Sequence, residues 1–376
     1  MPSLVLDARM LRASGIGVYL QQLIPRLSKD FELTLLGDAD ELATYHASAS
    51  ARIIPMQAPI YSLQEQLELR LRIPACDLFW SPHYNVPLLP IAARHRVVTI
   101  HDVYHLAYQH TLTLPQKMYA NLLIRAAVRM SDRVLTVSEF SKQEIIKYTK
   151  VRPETVVAIP NGVDSFRFVR SHSAHSPSTQ EAAQPIPYTA NPYLLFVGNV
   201  KPHKNLVTLL KAFVSLQEHI PKLDLLIVGK KEGFITGDTQ VGTLLENDAL
   251  LKKRVIFTGF VEDELLPHLY QQAAALVFPS VYEGFGLPPL EAMASGCPVV
   301  AADTASIPEV CGDAALYFSP LNHLELAERL SEVLNVQALR DKLIANGYRR
   351  VQNFSWDKTA DGHLAVFRQI LEGGDA

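Results

Sequence analysis

Ala273 to Glu291 reads AAALVFPSVYEGFGLPPLE, and this stretch decides the fold. Ala273 to Ser280 is an apolar run of strand length. A loop with two glycines follows, then a proline pair suited to the first helical positions, where a missing N–H costs nothing. The spacing predicts strand, loop and helix, the repeating unit of a parallel α/β sheet. Glu283 then sits on the loop and Glu291 in the first helical turn, so two carboxylates approach a ligand from different elements. Between them the N–H groups of Gly284 to Leu287 and the positive end of the helix dipole offer a place for an anionic phosphate.

The same alternation extends in both directions. Upstream, β-rich runs recur at Leu4 to Ala8, Phe31 to Leu36, Asp77 to Trp80, Arg96 to Ile100, Arg133 to Val137 and Val156 to Ile159. A second set lies at Tyr193 to Val197, Leu225 to Val228, Val255 to Thr258, Ala275 to Phe278 and Val299 to Ala302. Neither set alternates strictly with period two, as expected where helices cover both faces of a sheet. Between the sets, Arg170 to Pro192 (RSHSAHSPSTQEAAQPIPYTANP) loses apolar periodicity and has the composition of a linker. This predicts an α/β protein of two doubly wound, Rossmann-like domains, over residues 1–180 and 190–356, facing a central cleft.

Composition bounds the function. The chain has 376 residues, 48% hydrophobic and 19% charged, enough to bury two cores. A net charge of -3 argues against a nucleic-acid binder that works by phosphate neutralisation. Three scattered cysteines, Cys76, Cys297 and Cys311, indicate neither a disulfide framework nor a zinc site, and suit a reducing cytoplasm. No signal peptide is expected, because Met1 to Met10 carries Asp7 in its apolar stretch and lacks a basic start. No run reaches the roughly 18 apolar residues of a membrane span.

Further motifs follow strands. Ser14-Gly15-Ile16-Gly17-Val18-Tyr19 comes after the first strand and reads either as backbone brought close to a ligand or as a helix N-terminus capped by Ser14. It is not GxGxxG, so dinucleotide binding and a nicotinamide oxidoreductase are poorly supported. His101 ends the strand RVVTI at the carboxyl edge, where ligand residues gather, although a lone histidine there is more often bonded to backbone. His83 is a weaker candidate of the same kind, and His172 and His175 read as solvated linker residues. Gly198-Asn199-Val200-Lys201-Pro202-His203-Lys204-Asn205 follows the first strand of the second half, and Lys204 at the helix start could place an ammonium on a diphosphate. No Walker pattern, HExxH, GxSxG or DxD pair occurs, so neither ATP hydrolysis nor a metal is implied. Pro115 to Arg133 reads as a crossover helix with an apolar face at Met118, Leu122, Ile124 to Ala126 and Met130. Its Lys117, Arg125, Arg129 and Arg133 leave peripheral contact with anionic lipid as the alternative.

These motifs together resemble the family 4 retaining glycosyltransferases of GT-B fold. The resemblance rests on Ser14 to Tyr19, His101-Asp102, Thr136 to Ser141, Ile159 to Asp164, Gly198 to Lys204 and Glu283 to Glu291, and it covers nearly the whole chain. It implies that Glu291 binds the donor ribose and Glu283 faces the donor sugar, with Phe285, Gly286 and Leu287 contacting sugar and diphosphate through backbone. Lys204 matches the family's phosphate-binding lysine, and Asn199 stands where many members carry Arg, so a second cation is missing there. Gly15 and Gly17 would approach the donor, His101 would lie near the transferred sugar, and residues 357–376 would pack back on the N-terminal domain. Closure on the donor, with hinges at 170–192 and 354–357, is expected by the same route.

The strings are similar to bacterial mannosyltransferases of polysaccharide and lipopolysaccharide assembly. They imply GDP-mannose as donor, no metal or other cofactor, and a glycan or lipid-linked acceptor handled in the cytoplasm or at the cytoplasmic face of a membrane. A UDP-sugar donor is the alternative, and a non-catalytic nucleotide-sugar binder or an epimerase of the same architecture is a more distant one. Oligomeric state is not legible in the sequence.

Overall fold

The computed structural model describes residues 1–45, 51–164, 167–168, 187–229 and 238–373. The chain divides into two compact units, Met1–Gly162 with Trp356–Ala376, and Val163–Ser355. Among the described residues the first unit holds a parallel sheet of β1 (Ser3–Asp7), β2 (Glu32–Gly37), β3 (Arg52–Pro55), β4 (Cys76–Ser81), β5 (Ala93–Thr99), β6 (Arg133–Thr136) and β7 (Val156–Ala158). Their order is β3-β2-β1-β4-β5-β6-β7. The second unit's sheet comprises β8 (Tyr193–Val197), β9 (Asp224–Val228), β10 (Val255–Gly259), β11 (Ala275–Phe278), β12 (Val299–Ala302) and β13 (Ala315–Phe318), in the order β10-β9-β8-β11-β12-β13. Central strands such as β8, β11 and β12 are apolar end to end because helices cover both faces.

Strand order reverses beside β1 in the first sheet and beside β8 in the second. At such switch points successive crossovers leave on opposite faces, so a crevice opens at the strands' carboxyl ends. The loops after β1 and β4, and after β8 and β11, are therefore placed by topology where ligands bind.

β3 and β13 were not anticipated from the sequence, and both are sheet edges. For β3 the apolar signal is weak because an edge strand is half-covered, and Arg52–Pro55 has no fully buried residue; β13 is apolar throughout but only four residues long. The chain passes between units at Gly162/Val163 and Ser355/Trp356. The first crossing precedes the linker-like 170–192, whose residues up to 186 lie outside those described, as do His172 and His175. The Val163 N–H donates to the Phe354 carbonyl at 3.4 Å, tying the two passages side by side within the second unit.

The helix Trp356–Leu371 packs in the first unit, and a polar chain through the core holds it. Trp80 Nε1 donates to Thr99 Oγ1 at 3.0 Å, and Thr99 Oγ1 lies 3.1 Å from the Tyr19 hydroxyl. That hydroxyl lies 2.5 Å from His363 Nε2, whose Nδ1 is 2.7 Å from the Thr359 carbonyl. Carbonyls only accept, so Nδ1 carries the proton, Nε2 accepts from Tyr19, and His363 is neutral. Burial pushes His363 down to about 4. Gly362 lets the helix sit on Ile159, whose Cγ2 would lie 2.9 Å from any added Cβ.

The helix Leu114–Arg129 opens with a capping box from Thr113 and Gln116 and crosses the sheet face with Ala120, Leu123, Ile124, Ala127 and Val128 buried. Met118 and Leu122, expected on that face, are instead exposed. No helix among the described residues is long and apolar enough to cross a membrane.

Candidate active site

In the second unit the loops after β8 and β11 meet at the switch point. Gly198 leaves β8 with φ 151°, a conformation that glycine tolerates. Its carbonyl comes so close to Gly229 that a Cβ there would lie 2.4 Å from it. Pro202–Lys204 forms one 3-10 turn, and Asn205 follows in the left-handed region at φ 54° before the helix Leu206–Gln217. Lys204 is thus not in the helix, as the sequence had suggested, but on the turn ahead of it. Asn205 is buried and bolts the turn down: Nδ2 donates to the carbonyls of Pro279 at 3.0 Å and Pro320 at 2.6 Å, and Oδ1 accepts from Thr208 at 2.7 Å. The Val281 N–H donates to the His203 carbonyl at 2.8 Å, joining the two loops directly.

That seam brings Lys204 Nζ to 2.6 Å from Glu283 Oε1. The pair is mostly shielded, with side chains 20% and 13% exposed. An ammonium has three donors and a carboxylate several acceptor positions, so each keeps capacity for a ligand. The Glu283 loop is fixed from below by fully buried Ser306, whose hydroxyl lies 2.9 Å from the Glu283 carbonyl and 2.8 Å from that of Phe285. Ala305 beside it holds φ 54°, a strained backbone for a residue with a Cβ.

Gly286 is the N-cap of the helix Leu287–Ala294, at φ 117°. A Cβ there would meet only ordinary contacts, so the dihedral rather than space asks for glycine. Leu287, not a proline, is the first helical residue, with Pro288 and Pro289 next. Among the described residues the N–H groups of Phe285, Gly286 and Leu287 have no hydrogen-bond acceptor, and they cluster at the positive helix end. Phe285 packs its ring 5.9 Å from Phe354. Glu291 is the fifth helical residue, past the first turn where the sequence placed it. Its Oε2 accepts from the Tyr270 hydroxyl at 2.9 Å. Burial raises the Glu291 carboxyl above its ordinary range, and Tyr270 and Arg167 oppose that shift. Asn199 is half-buried, with no side-chain partner among the described residues.

The other candidates belong to the first unit. Gly15 and Gly17 lie inside the helix Ser14–Leu27, whose N-cap is Ala13 rather than Ser14. Gly17 has a packing reason, since a Cβ would sit 2.6 Å from the Leu11 carbonyl oxygen, whereas Gly15 is exposed with open space around it. His101 Nε2 lies 3.0 Å from the Pro82 carbonyl, so Nε2 carries the proton, and its ring meets Tyr19 edge-on at 5.0 Å. Burial lowers its pKa, leaving a neutral imidazole with Nδ1 as acceptor. The first unit's switch point also carries a buried charge cluster: Arg9 pairs with Asp7 at 2.5 Å and with Glu65 at 2.6 Å. Nearby His83 is pushed down to about 3 by burial.

Two family models cover this architecture, Glycosyltransferase Family 4 over residues 13–167 and Glycosyl transferases group 1 over 178–350. The O-antigen chain mannosyltransferase B of Escherichia coli is 30% identical over 282 residues, 75% of this chain and 72% of the relative. The chain belongs to the family 4 glycosyltransferases. O-antigen chain mannosyltransferase RfbU of Salmonella typhimurium is 30% identical to this glycosyltransferase over 298 residues, 79% of the chain and 75% of the relative. The sucrose-phosphate synthase of Thermosynechococcus elongatus shares its fold, with TM-score 0.76 at 21% identity over 100% of both chains. The fold of the glycosyltransferase is thus GT-B, built from two Rossmann-like α/β units.

Asn205, Ser306, Gly229 and Tyr270 escaped the sequence reading. Asn205 had a usable signal, a lone Asn between a turn-forming Pro-His-Lys and a helical pattern. Ser306 and Tyr270 had none, because they reach the loop and the helix from distant parts of the chain.

Proposed function

We propose that this glycosyltransferase transfers mannose from GDP-mannose to a glycan or glycolipid acceptor with retention of anomeric configuration. The observation that carries the reading is the Lys204–Glu283 pair at the β8/β11 switch point, beside the unfilled N–H groups of Phe285, Gly286 and Leu287. Breaking the anomeric C–O bond builds negative charge on the departing diphosphate. Lys204, the three N–H groups and the helix dipole stand ready to stabilise it without rearrangement. These groups supply the positive charge, and the reading assigns no metal. Glu283 accepts hydrogen bonds from the sugar hydroxyls while Lys204 balances its charge. Glu291, held through one oxygen by Tyr270, offers the other to the ribose hydroxyls. The neutral His101 offers Nδ1 to a sugar hydroxyl, and Gly15 lets donor atoms approach the start of its helix. Retention follows if the acceptor attacks the face the diphosphate leaves, with a phosphate oxygen taking the acceptor proton; no side chain is asked to be the nucleophile. The donor assignment draws on the mannosyltransferase relatives. A lipid-linked acceptor would bring the enzyme to the cytoplasmic face of a membrane.

Donor identity is tested by incubating the purified chain with GDP-mannose, UDP-glucose and UDP-N-acetylglucosamine and lipid-linked acceptors, following nucleotide release and product anomer by NMR. The expected result is release of GDP with an α-linked mannose. Turnover confined to a UDP-sugar, or a β-linked product, overturns the assignment.

A further inference from the structure

The first unit carries a run of aromatic rings that the proposed donor site does not use. The Tyr61 and His83 rings meet edge-on at 5.8 Å, His83 lies 4.1 Å from Tyr84, and Tyr84 lies 5.9 Å from His105. His105 meets Tyr104 at 5.9 Å, and Tyr104 stacks on Tyr108 at 5.0 Å with 17° between the planes. Tyr61 is 47% exposed and the others are half-buried, so the rings line the surface rather than the core. They come from the turn ahead of the helix Leu63–Arg72, from the loop after β4 and from the short helix Tyr104–Ala107 after β5. The last two leave the carboxyl ends of neighbouring strands beside the first unit's switch point, where topology gathers ligand residues.

One end of the run is held under strain. Tyr61 has φ 71°, a left-handed backbone unfavourable to a residue with a Cβ. Its N–H donates to Glu65 Oε2 at 2.8 Å, and fully buried Glu65 pairs with Arg9 at 2.6 Å and accepts from Asn85 at 2.5 Å. Asn85 accepts in turn from the Tyr119 hydroxyl at 3.2 Å, and the Tyr119 ring meets Tyr61 edge-on at 5.9 Å. The Asn85 N–H donates to His83 Nδ1 at 3.3 Å, so the proton of this neutral imidazole is on Nε2, which donates to the Tyr61 hydroxyl at 3.2 Å. A buried ion pair, an amide and a neutral histidine thus converge on one exposed tyrosine. Core packing does not ask for that arrangement, because nearly half of Tyr61 faces water.

The chemistry of the rings identifies the occupant. A sugar ring has apolar C–H faces and a rim of hydroxyls, and a tyrosine or a neutral histidine offers a matching π face and a polar edge. The charges nearest Tyr61 are Arg9 and Glu65, both buried and paired, so the face presents no net charge to a phosphate and suits a neutral ligand. The run is also continuous with the proposed transfer site: His101, which offers Nδ1 to a sugar hydroxyl, donates from Nε2 to the carbonyl of Pro82, the residue before His83. Six successive rings are more than one sugar unit can cover. We propose that this aromatic run is an acceptor subsite that binds a neutral oligosaccharide over several successive sugar units, with Tyr61 and Tyr104 as stacking residues. The inference rests on the proposed function for its neighbour His101, and adds that the acceptor is recognised by its length.

The test is NMR-monitored titration of the full chain with neutral mono-, di- and tetrasaccharides of mannose, glucose and galactose. For at least one sugar the wild type is expected to bind the tetrasaccharide at least about tenfold more tightly than the monosaccharide, the scale of one stacked ring. Tyr61→Asn, which keeps a residue tolerant of the left-handed backbone, and Tyr104→Ala are each expected to erase most of that ratio, with thermal melting showing them folded. Tyr104→Phe keeps the ring and is expected to keep the ratio. The proposal is overturned by equal affinity for mono- and tetrasaccharides of every sugar in the wild type, by an unchanged ratio in both Tyr61→Asn and Tyr104→Ala, or by tighter binding of a sugar-free polyprenyl phosphate than of any tetrasaccharide. GDP-mannose and UDP-glucose affinities in the same samples read the donor assignment separately: they are expected to be unchanged in the variants, and a wild type that binds neither while keeping its length preference would refute the donor reading alone.

Discussion

Tyr270 and Glu291 show how one hydroxyl can set the charge state of a buried carboxylate, here one proposed to hold the donor ribose. Burial raises Glu291, and the Tyr270 hydrogen bond at 2.9 Å favours its ionised form. Tyr270→Phe removes that support and pushes the carboxyl higher still. The donor KM is expected to rise about three- to tenfold at neutral pH, the scale of one hydrogen bond to a charged group. It is also expected to climb more steeply than in wild type as pH falls, because the proton is taken up earlier. Steady-state kinetics at several pH values check this, and parallel pH profiles for the two enzymes would contradict it. His101 offers a companion test: His101→Phe keeps the edge contact with Tyr19 but loses Nδ1 and the Nε2 bond to the Pro82 carbonyl, and is expected to lower kcat about 10- to 100-fold at a stability cost of about 1 kcal/mol.

At the scale of elements, the Glu283 loop is shaped by residues it never meets in sequence. Ser306 spans the carbonyls of Glu283 and Phe285, so Ser306→Ala leaves buried acceptors unpaired and frees the loop. A stability loss of about 1–3 kcal/mol is expected in chemical denaturation, with a raised donor KM. Asn205→Ala removes two donors and one acceptor from a left-handed position, and the combined loss is expected to reach about 3 kcal/mol or more. The two substitutions separate positioning from contact, since neither side chain is proposed to touch the donor. The strand, loop and helix around Glu283 were legible because apolar run, glycines and prolines fall within one short window. The edge β3 was not, because a half-covered strand need not be apolar, and β13, though apolar, is a run of only four residues. Lys204 and Glu283 were each visible, but their 2.6 Å pairing was not: it depends on parallel β8 and β11 being neighbours, which periodicity does not specify.

At the scale of the whole molecule, the first unit stakes its stability on neutral histidines. His363 is pushed down to about 4 and His83 to about 3, both chiefly by burial, and His101 is lowered for the same reason. A depressed histidine binds its proton more weakly folded than unfolded, so stability is full above the unfolded value near 6.5 and is lost as pH falls toward the folded values. His363 alone is expected to contribute about 2 kcal/mol of difference between pH 7 and pH 5. Protonation there also reverses the Nε2 acceptor that Tyr19 requires, so the helix Trp356–Leu371 is expected to be among the first elements to loosen. Denaturation at pH 7 and pH 5, with hydrogen exchange on that helix, checks both points; His363→Gln should flatten the pH slope. The return of that helix to the first unit was foreseeable only by resemblance, because the polar chain from Trp80 to Thr359 joins residues far apart in sequence.

The central claim is that the Lys204–Glu283 pair beside the Leu287–Ala294 helix end receives the donor diphosphate and sugar. It is tested most directly by kcat/KM for nucleotide-sugar turnover in Lys204→Ala, measured beside the wild type with melting temperature as the check on folding. A fall of about 10²- to 10³-fold with the fold intact is the predicted result, the scale seen when one charge-stabilising donor is lost from a preorganised site. Turnover equal to wild type would contradict the claim.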